Sequence, residues 1–152
     1  ARRSPRRSEM DGVPSKPGRV VEPSAGLNAI SGAVVAAAIE VHRALGPGFT
    51  EGVYEHALVV EFRCRGIQFA RPARYELEYK GEVVGEGRVD FLVEGRVVVE
   101  LKAVESLTPV HFAQVMAYLR VSRCQLGLLL NFNVPQLVRG VRRVVLSPRA
   151  DD

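Results

Sequence analysis

The stretch "VVVELKAV", residues 97–104, starts as a buried strand and then admits charge. Three valines lead into Glu100, Leu101 and Lys102, after which apolar residues resume. A β-branched run suits a strand, and side chains along a strand alternate between its faces. Glu100 and Lys102 therefore share one face, and Val97, Val99 and Leu101 share the other as core. An acid and a base on one side of so apolar a strand must meet polar partners or water.

The nearest acid upstream is Asp90 in "RVDFLV" (88–93). Whether it joins Glu100 depends on the turn between the two segments. A two-residue loop at Glu94-Gly95 would pair Val93 with Arg96 and turn Asp90 away from Glu100. A three-residue loop, Val93-Glu94-Gly95, would pair Leu92 with Arg96 and put Asp90 opposite Val98, on the face of Glu100. Gly95 stands where the three-residue loop needs a left-handed residue, so it favours the second arrangement. Val89 and Phe91 then join the core face.

Two carboxylates at close range repel unless a cation sits between them. Mg²⁺ takes one or two carboxylates together with water and phosphate oxygens. A lysine alongside can orient a water or stabilise charge on a phosphate. Asp90, Glu100 and Lys102 are thus what metal-assisted phosphodiester hydrolysis requires. Spacing alone leaves a second account open, a surface ion pair.

Working outward, residues 28–45 read as a helix with Asn28 as N-cap and Ile30, Val34, Ala37, Ala38, Val41 and Leu45 on one face. Gly46 ends it and Pro47 prevents resumption. Thr50 caps a second helix, 51–65, whose broad face carries Glu51, Tyr54, Glu55, Leu58 and Phe62. Glu51 is either a first-turn acid favoured by the helix dipole or a third acid reaching the cluster. Residues 73–79 and 82–93 read as strands, the second weakened by Gly85 and Gly87, and 96–102 as a third. Thr108 caps a third helix, 108–120, with Pro109 at its first position. Its core stripe is Phe112, Val115, Met116 and Leu119, with His111, Gln114 and Tyr118 on the flank. "QLGLLLNF" (125–132) is apolar throughout, as in a sheet interior. Residues 141–146 can add a last strand. The expectation is an α/β fold of order ααβββαβ, a mixed central β-sheet flanked by helices.

Composition narrows the class. With 152 residues, 47% hydrophobic and 25% charged, the chain suits one globular domain. Residues 27–147 form that domain in this reading, between a disordered basic tail at 1–26 and a short disordered tail at 148–152. Met10 is read as an alternative start. No apolar run approaches the ~20 residues of a membrane span, and no apolar segment follows the basic N-terminus, so neither membrane nor secretion is expected. The formal charge of +4 is mostly the tail's: it carries six of the 21 bases and three of the 17 acids, leaving 15 against 14. Overall charge is thus weak guidance about partners. Cys64 and Cys124 lack metal-site spacing and read as two reduced core thiols of a cytoplasmic protein. Nothing supports a zinc finger, helix-turn-helix or phosphate-binding glycine loop.

Taken in order, "GFTEGVY" (48–54), "RVDFLV", "VVVELKAV", "LTPVHFAQVMAYL" (107–119) and "LGLLLNF" (126–132) resemble the GxxExxY protein family. Gly48, Glu51 and Tyr54 match its signature. That family belongs to the PD-(D/E)XK nuclease superfamily, and the likeness spans about residues 28–146. It implies a restriction-endonuclease-like core and a Mg²⁺ (or Mn²⁺) site with Asp90 and Glu100 as ligands. It also implies Lys102 as the lysine of the E-x-K element, Glu51 as the helix acid, and Gln114 as the glutamine of the following helix. Tyr54, Tyr118 and His42 match the pattern without a role attached. Val89 stands where the superfamily name has proline. The implied activity is hydrolysis of nucleic acid, DNA in preference to RNA. The competing expectation is a catalytically silent nucleic-acid-binding or protein-interaction module. A homodimer is a third expectation, since two strands can require two centres.

Overall fold

Residues 22–147 are described here from a computed structural model. The readings of 1–21 and 148–152 as tails lie outside these residues. Helix α1 spans Ala25–Leu45. Its cap is Ser24, whose hydroxyl accepts from Leu27 N at 3.2 Å, so the helix begins three residues before the expected cap. Asn28 instead lies in the first turn and uses its amide elsewhere: it donates to Pro23 O and accepts from Arg143 at 2.6 Å. Gly46 closes the helix at φ 70°, a conformation that glycine adopts freely, and its N–H bonds His42 O. By length and composition α1 could cross a membrane, contrary to the sequence reading. Here Leu27, Val34, Ala37, Ala38 and Val41 are buried in the core.

Helix α2 spans Glu51–Cys64. Short strand β1, Phe69–Ala70, follows, and then β2, Ala73–Tyr79, and β3, Glu82–Val89. Next come β4, Phe91–Val93, β5, Val97–Lys102, and helix α3, Pro109–Ser122. The described residues close with β6, Leu126–Asn131, a 3-10 turn at Leu137–Gly140, and β7, Val141–Val145. The main sheet has five strands in the order β1-β4-β5-β6-β7. Only β5 and β6 run parallel, joined through α3; the other pairs are antiparallel. This mixed sheet with flanking helices is what the pattern predicted, and it is consistent with the restriction-endonuclease-like core that the resemblance implied.

The strand order differs from the expected ααβββαβ in two respects. Strand β1 is two residues long, too short to leave a periodic signal. The expected strand 82–93 is broken at Asp90. Before the break, β3 pairs with β2 in a separate two-stranded arm; after it, β4 enters the main sheet. The break also divides the expected core face. Phe91, Val97, Val99 and Leu101 pack with α1 and α2, whereas Val89 joins the opposite core with Val98, Val115, Tyr118 and Leu119. All six residues of β6 are buried, as its apolar run 126–130 required, with the polar Asn131 closing it.

Two glycines explain themselves by what they touch. A Cβ on Gly87 would run into the ring of Tyr75 on the paired strand. That ring packs edge-on against Tyr118 at 4.6 Å, so the glycine makes room for the contact joining arm and helix. A Cβ on Gly140 would collide with the backbone carbonyl of Asn131. Backbone cannot rotate aside as a side-chain tip can. Gly140→Ala should therefore cost about 2 kcal/mol or more. Gly32→Ala, in α1 with open space around its Cβ, should be stabilising by about 0.5–1 kcal/mol. Urea unfolding of the two variants checks both signs.

Candidate metal centre

Glu51 is the first residue of α2, and the entry to that helix is fixed from one turn further on. Tyr54 is fully buried. Its hydroxyl donates to Gly46 O at 2.6 Å and accepts from Phe49 N at 3.2 Å. Its ring stacks on Phe132 with centroids 4.6 Å apart. Gly48, at φ 109°, lets the intervening loop turn tightly. The Gly-x-x-Glu-x-x-Tyr spacing thus has a local cause: the tyrosine clamps the loop that presents the glutamate.

Asp90 sits at the break between arm and sheet. Phe91 pairs with Val99, Leu92 with Val98 and Val93 with Val97. The loop is therefore three residues long, as expected, but it is Glu94-Gly95-Arg96, one position later. Glu94 and Gly95 both have positive φ, 52° and 64°, and Arg96 N bonds Val93 O. Arg96 is the extra residue that restores the parity placing Asp90 on the side of Glu100. Continued one step, the register sets Asp90 opposite Glu100. Leu101 N would face residue 89 had the strand run on. Because the strand breaks, the Asp90 carboxylate accepts that N–H at 2.7 Å.

Lys102 ends β5, paired with Asn131 of β6. Its carbonyl accepts from Phe132 N at 2.9 Å. Buried Asn131 then fixes the exit of the strand: its amide accepts from Val104 N at 3.1 Å and donates to Val104 O at 2.9 Å. His42, also buried, places Nε2 between the carbonyls of Phe132 and Val134, at 3.1 and 2.9 Å. Two acceptors around one nitrogen require that nitrogen to carry the proton. His42 and Tyr54, which matched the family pattern without a role, are the fasteners of α1 and α2 to the end of β6.

Carboxylate oxygens of Glu51, Asp90 and Glu100 all lie within 4.8 Å of one another, and all three residues are half-buried. Burial pushes the Glu100 carboxyl up to about 9, helped by a hydrogen bond and charge repulsion from Asp90 and by Glu51; Lys102 pulls it back. Burial also raises Glu51, with Asp90 and Glu55 adding to the shift and Lys102 opposing it. A proton held between acids is the response of such a cluster when no cation shares it. Hard oxygen donors suit Mg²⁺ or Mn²⁺. At a Mg–O length of about 2.1 Å, two ligand oxygens are at most about 4.2 Å apart, a small side-chain rotation from what is seen. The residues fit a divalent cation.

The other residues singled out in the sequence have the following surroundings. Gln114 is exposed on α3, and its side chain makes no hydrogen bond among the described residues. His111 accepts from Thr108 N at 3.0 Å and so serves the start of α3. Tyr118, placed on the flank by the sequence reading, is buried in the core. Glu55 is neutralised by Arg71 at 2.9 Å. Both cysteines are free, but Cys64 is exposed at the end of α2 and is no core thiol. Asn131 and the Leu101 N–H escaped sequence reading. A polar residue closing the apolar run of β6 was the available signal for the first; the second is backbone and leaves none.

A family model described as the PD-(D/E)XK nuclease superfamily matches residues 28–144, and the chain belongs to that superfamily. No curated protein matches the chain. A solved structure described as "Crystal structure of SSO0001" is similar at 16% identity and a TM-score of 0.49. The match covers 66% of this chain and 52% of that one, so this chain spans about half of its length.

The raised Glu100 carboxyl gives a pH signature. Between the unfolded value, 4.5, and about 9, the folded protein keeps a proton that the unfolded chain has released. Stability from this group is complete below pH 4.5 and lost as pH rises through about 9. Metal-free protein should therefore melt at progressively lower temperature across that window, and Glu100→Gln should flatten the slope. Added Mg²⁺ must displace the proton, so its stabilising effect should grow with pH in the wild type and vanish in the variant. Thermal melts with EDTA or Mg²⁺ measure both; parallel curves for the two proteins would refute the assignment.

Proposed function

We propose that this protein is a metal-dependent nuclease that hydrolyses phosphodiester bonds, with Glu51, Asp90 and Glu100 holding a divalent cation, Mg²⁺ or Mn²⁺. The observation that carries the reading is the meeting of three carboxylates from α2, the strand break and β5 beside Lys102, in a chain of the PD-(D/E)XK superfamily. We further assign it to the GxxExxY group, on Gly48, Glu51 and Tyr54. DNA is the proposed substrate in preference to RNA, and a homodimer the proposed assembly for cutting both strands. A cytoplasmic setting suits two unpaired thiols.

When bound, the cation would lower the pKa of a coordinated water and neutralise charge building on the phosphate. The chain's own groups do the rest. Asp90 has one oxygen committed to Leu101 N, which fixes its carboxylate against the strand and leaves the other oxygen for ligation. Lys102 forms no ion pair among the described residues, so its ammonium is available to a substrate oxygen or to the attacking water. It also lowers the pKa of Glu100 and Glu51, favouring the ionised forms that bind metal. Gln114, on the exposed side of α3, is proposed to reach the substrate backbone or a water.

Lys102→Ala should lower cleavage about 100-fold or more, a loss typical of removing one charge-stabilising donor. Asp90→Asn, which keeps an acceptor for Leu101 N but removes the charge, should abolish it, and both variants should keep a wild-type far-ultraviolet spectrum. The assay is cleavage of single- and double-stranded DNA and RNA with Mg²⁺ or Mn²⁺. Salt-dependent binding by the wild type without cleavage of any substrate would turn the reading to the silent binding module.

A further inference from the structure

A second polar feature lies on the face of the sheet that carries Glu100. A cleft of about 310 Å³ opens beyond the carboxyl ends of the parallel pair β5 and β6, bordered by Glu105, Ser106, Phe112, Asn131, Arg139 and Arg142. The sheet register fixes its position. Glu100 pairs with Leu129, and Leu129 with Arg142, so the three stand in one row across β5, β6 and β7. Lys102 pairs with Asn131 in the next row. At about 4.8 Å per strand, Arg142 starts about 10 Å from Glu100 and faces the same way. Crevices at the carboxyl ends of parallel strands are where open α/β sheets hold ligands.

The charge in this cleft is not neutralised. Arg139 and Arg142 are exposed, and neither forms an ion pair among the described residues, although Glu105 borders the same space. Arg142 is nevertheless held in place. Its Nη1 donates to the carbonyls of Arg139 and Val141, at 2.9 and 2.8 Å. A guanidinium fixed by carbonyls keeps its full charge and its remaining N–H donors, and those donors match a phosphate. Arg143, the next residue, is likewise exposed and without an ion pair among the described residues, but it lies on the other side of the sheet. It pairs with Leu128 on the opposite face, and its guanidinium is taken up by Asn28.

We propose that this cleft holds the substrate strand, with Arg142 and Arg139 binding a phosphate a few nucleotides from the bond presented to Glu51, Asp90 and Glu100. The assignment rests on the nuclease reading and adds the substrate track to it. An axial rise of about 3.4 Å per nucleotide puts a phosphate about three steps away within reach of Arg142. The volume, equal to about ten waters, accommodates a phosphate with its sugar. Phe112 supplies the apolar side of the wall, so the cleft offers both cation and carbon to a nucleotide.

The test compares the full chain with an Arg139→Gln/Arg142→Gln double variant and with Arg143→Gln. Binding of a labelled single-stranded oligonucleotide is followed by fluorescence anisotropy over a salt series, with Ca²⁺ replacing Mg²⁺; cleavage kinetics are measured separately with Mg²⁺. The double variant should bind about tenfold more weakly or worse, with the log–log salt slope smaller by about one to two. KM should rise while kcat stays within about twofold. Arg143→Gln, a like charge change on the other face, should match the wild type. Unchanged affinity and slope in the double variant, or an equal loss in Arg143→Gln, would overturn the cleft. Persistent cleavage with unchanged KM in the double variant would remove the cleft and leave the nuclease reading standing. Wild-type binding that depends on these arginines without any cleavage would uphold the cleft and remove the nuclease reading.

Discussion

The Asp90 carboxylate bonded to the Leu101 N–H is the contact on which the local architecture turns. A strand broken beside another strand leaves a backbone donor facing protein, and an unmet buried donor costs about 1–3 kcal/mol. Asp90 meets it. The chain can then leave the five-stranded sheet for the arm without orphaning Leu101, and Val89 is free to enter the core on the other face. The same bond draws a negative charge to within 4.8 Å of Glu100 and Glu51. One hydrogen bond thus serves the fold and creates an electrostatic problem beside it.

That problem limits what the site can be. A surface cluster of acids is cheap because water screens it, but these three side chains are half-buried and Glu100 titrates near 9. A structural need for Asp90 explains only one of them. The Asp90 hydrogen bond that Glu100 makes exists only while a proton is shared between the two acids, and Glu51 could satisfy the helix dipole without facing other acids. Lys102 opposes the repulsion at both glutamates. One ammonium cannot balance three acids in their ionised forms, so the cluster must hold either a proton, as Glu100 does here, or a divalent cation in its place.

How much of this was legible in the sequence follows from the range of each interaction. Thr108-Pro109 and the apolar run of β6 are local signals, and both elements appeared where expected. The shared face of Asp90 and Glu100 needed only the parity of the hairpin, which the three-residue loop supplied even though it lies one residue later than expected. The break at Asp90 was not legible, because alternating residues read the same whether the strand continues or turns into a new sheet. Asn28 and Ser24 are both good caps, and only the tertiary bond to Arg143 decides how Asn28 is used. Cys64 was read as a core thiol because it lacks metal-site spacing, yet it stands between Arg63 and Arg65 at the exposed end of its helix. Gln114 was carried by resemblance alone, and the structure shows it exposed on α3.

The remaining question is what keeps charges that repel in one place. Packing alone is too compliant for this, since exposed glutamates simply rotate apart. The chain instead anchors each segment through side chains bonded to backbone a few residues from the acid. Tyr54 holds the carbonyl of Gly46 and the N–H of Phe49 ahead of Glu51. Asn131 holds both polar groups of Val104 just beyond Lys102, and His42 holds the carbonyls that follow β6. These fasteners are buried or nearly so, where a hydrogen bond is hard to exchange for water. They converge on Phe132, whose ring stacks on Tyr54 and whose backbone bonds both His42 and Lys102. The end of β6, which contributes no acid, therefore governs the separation between the helix glutamate and the strand that carries Glu100.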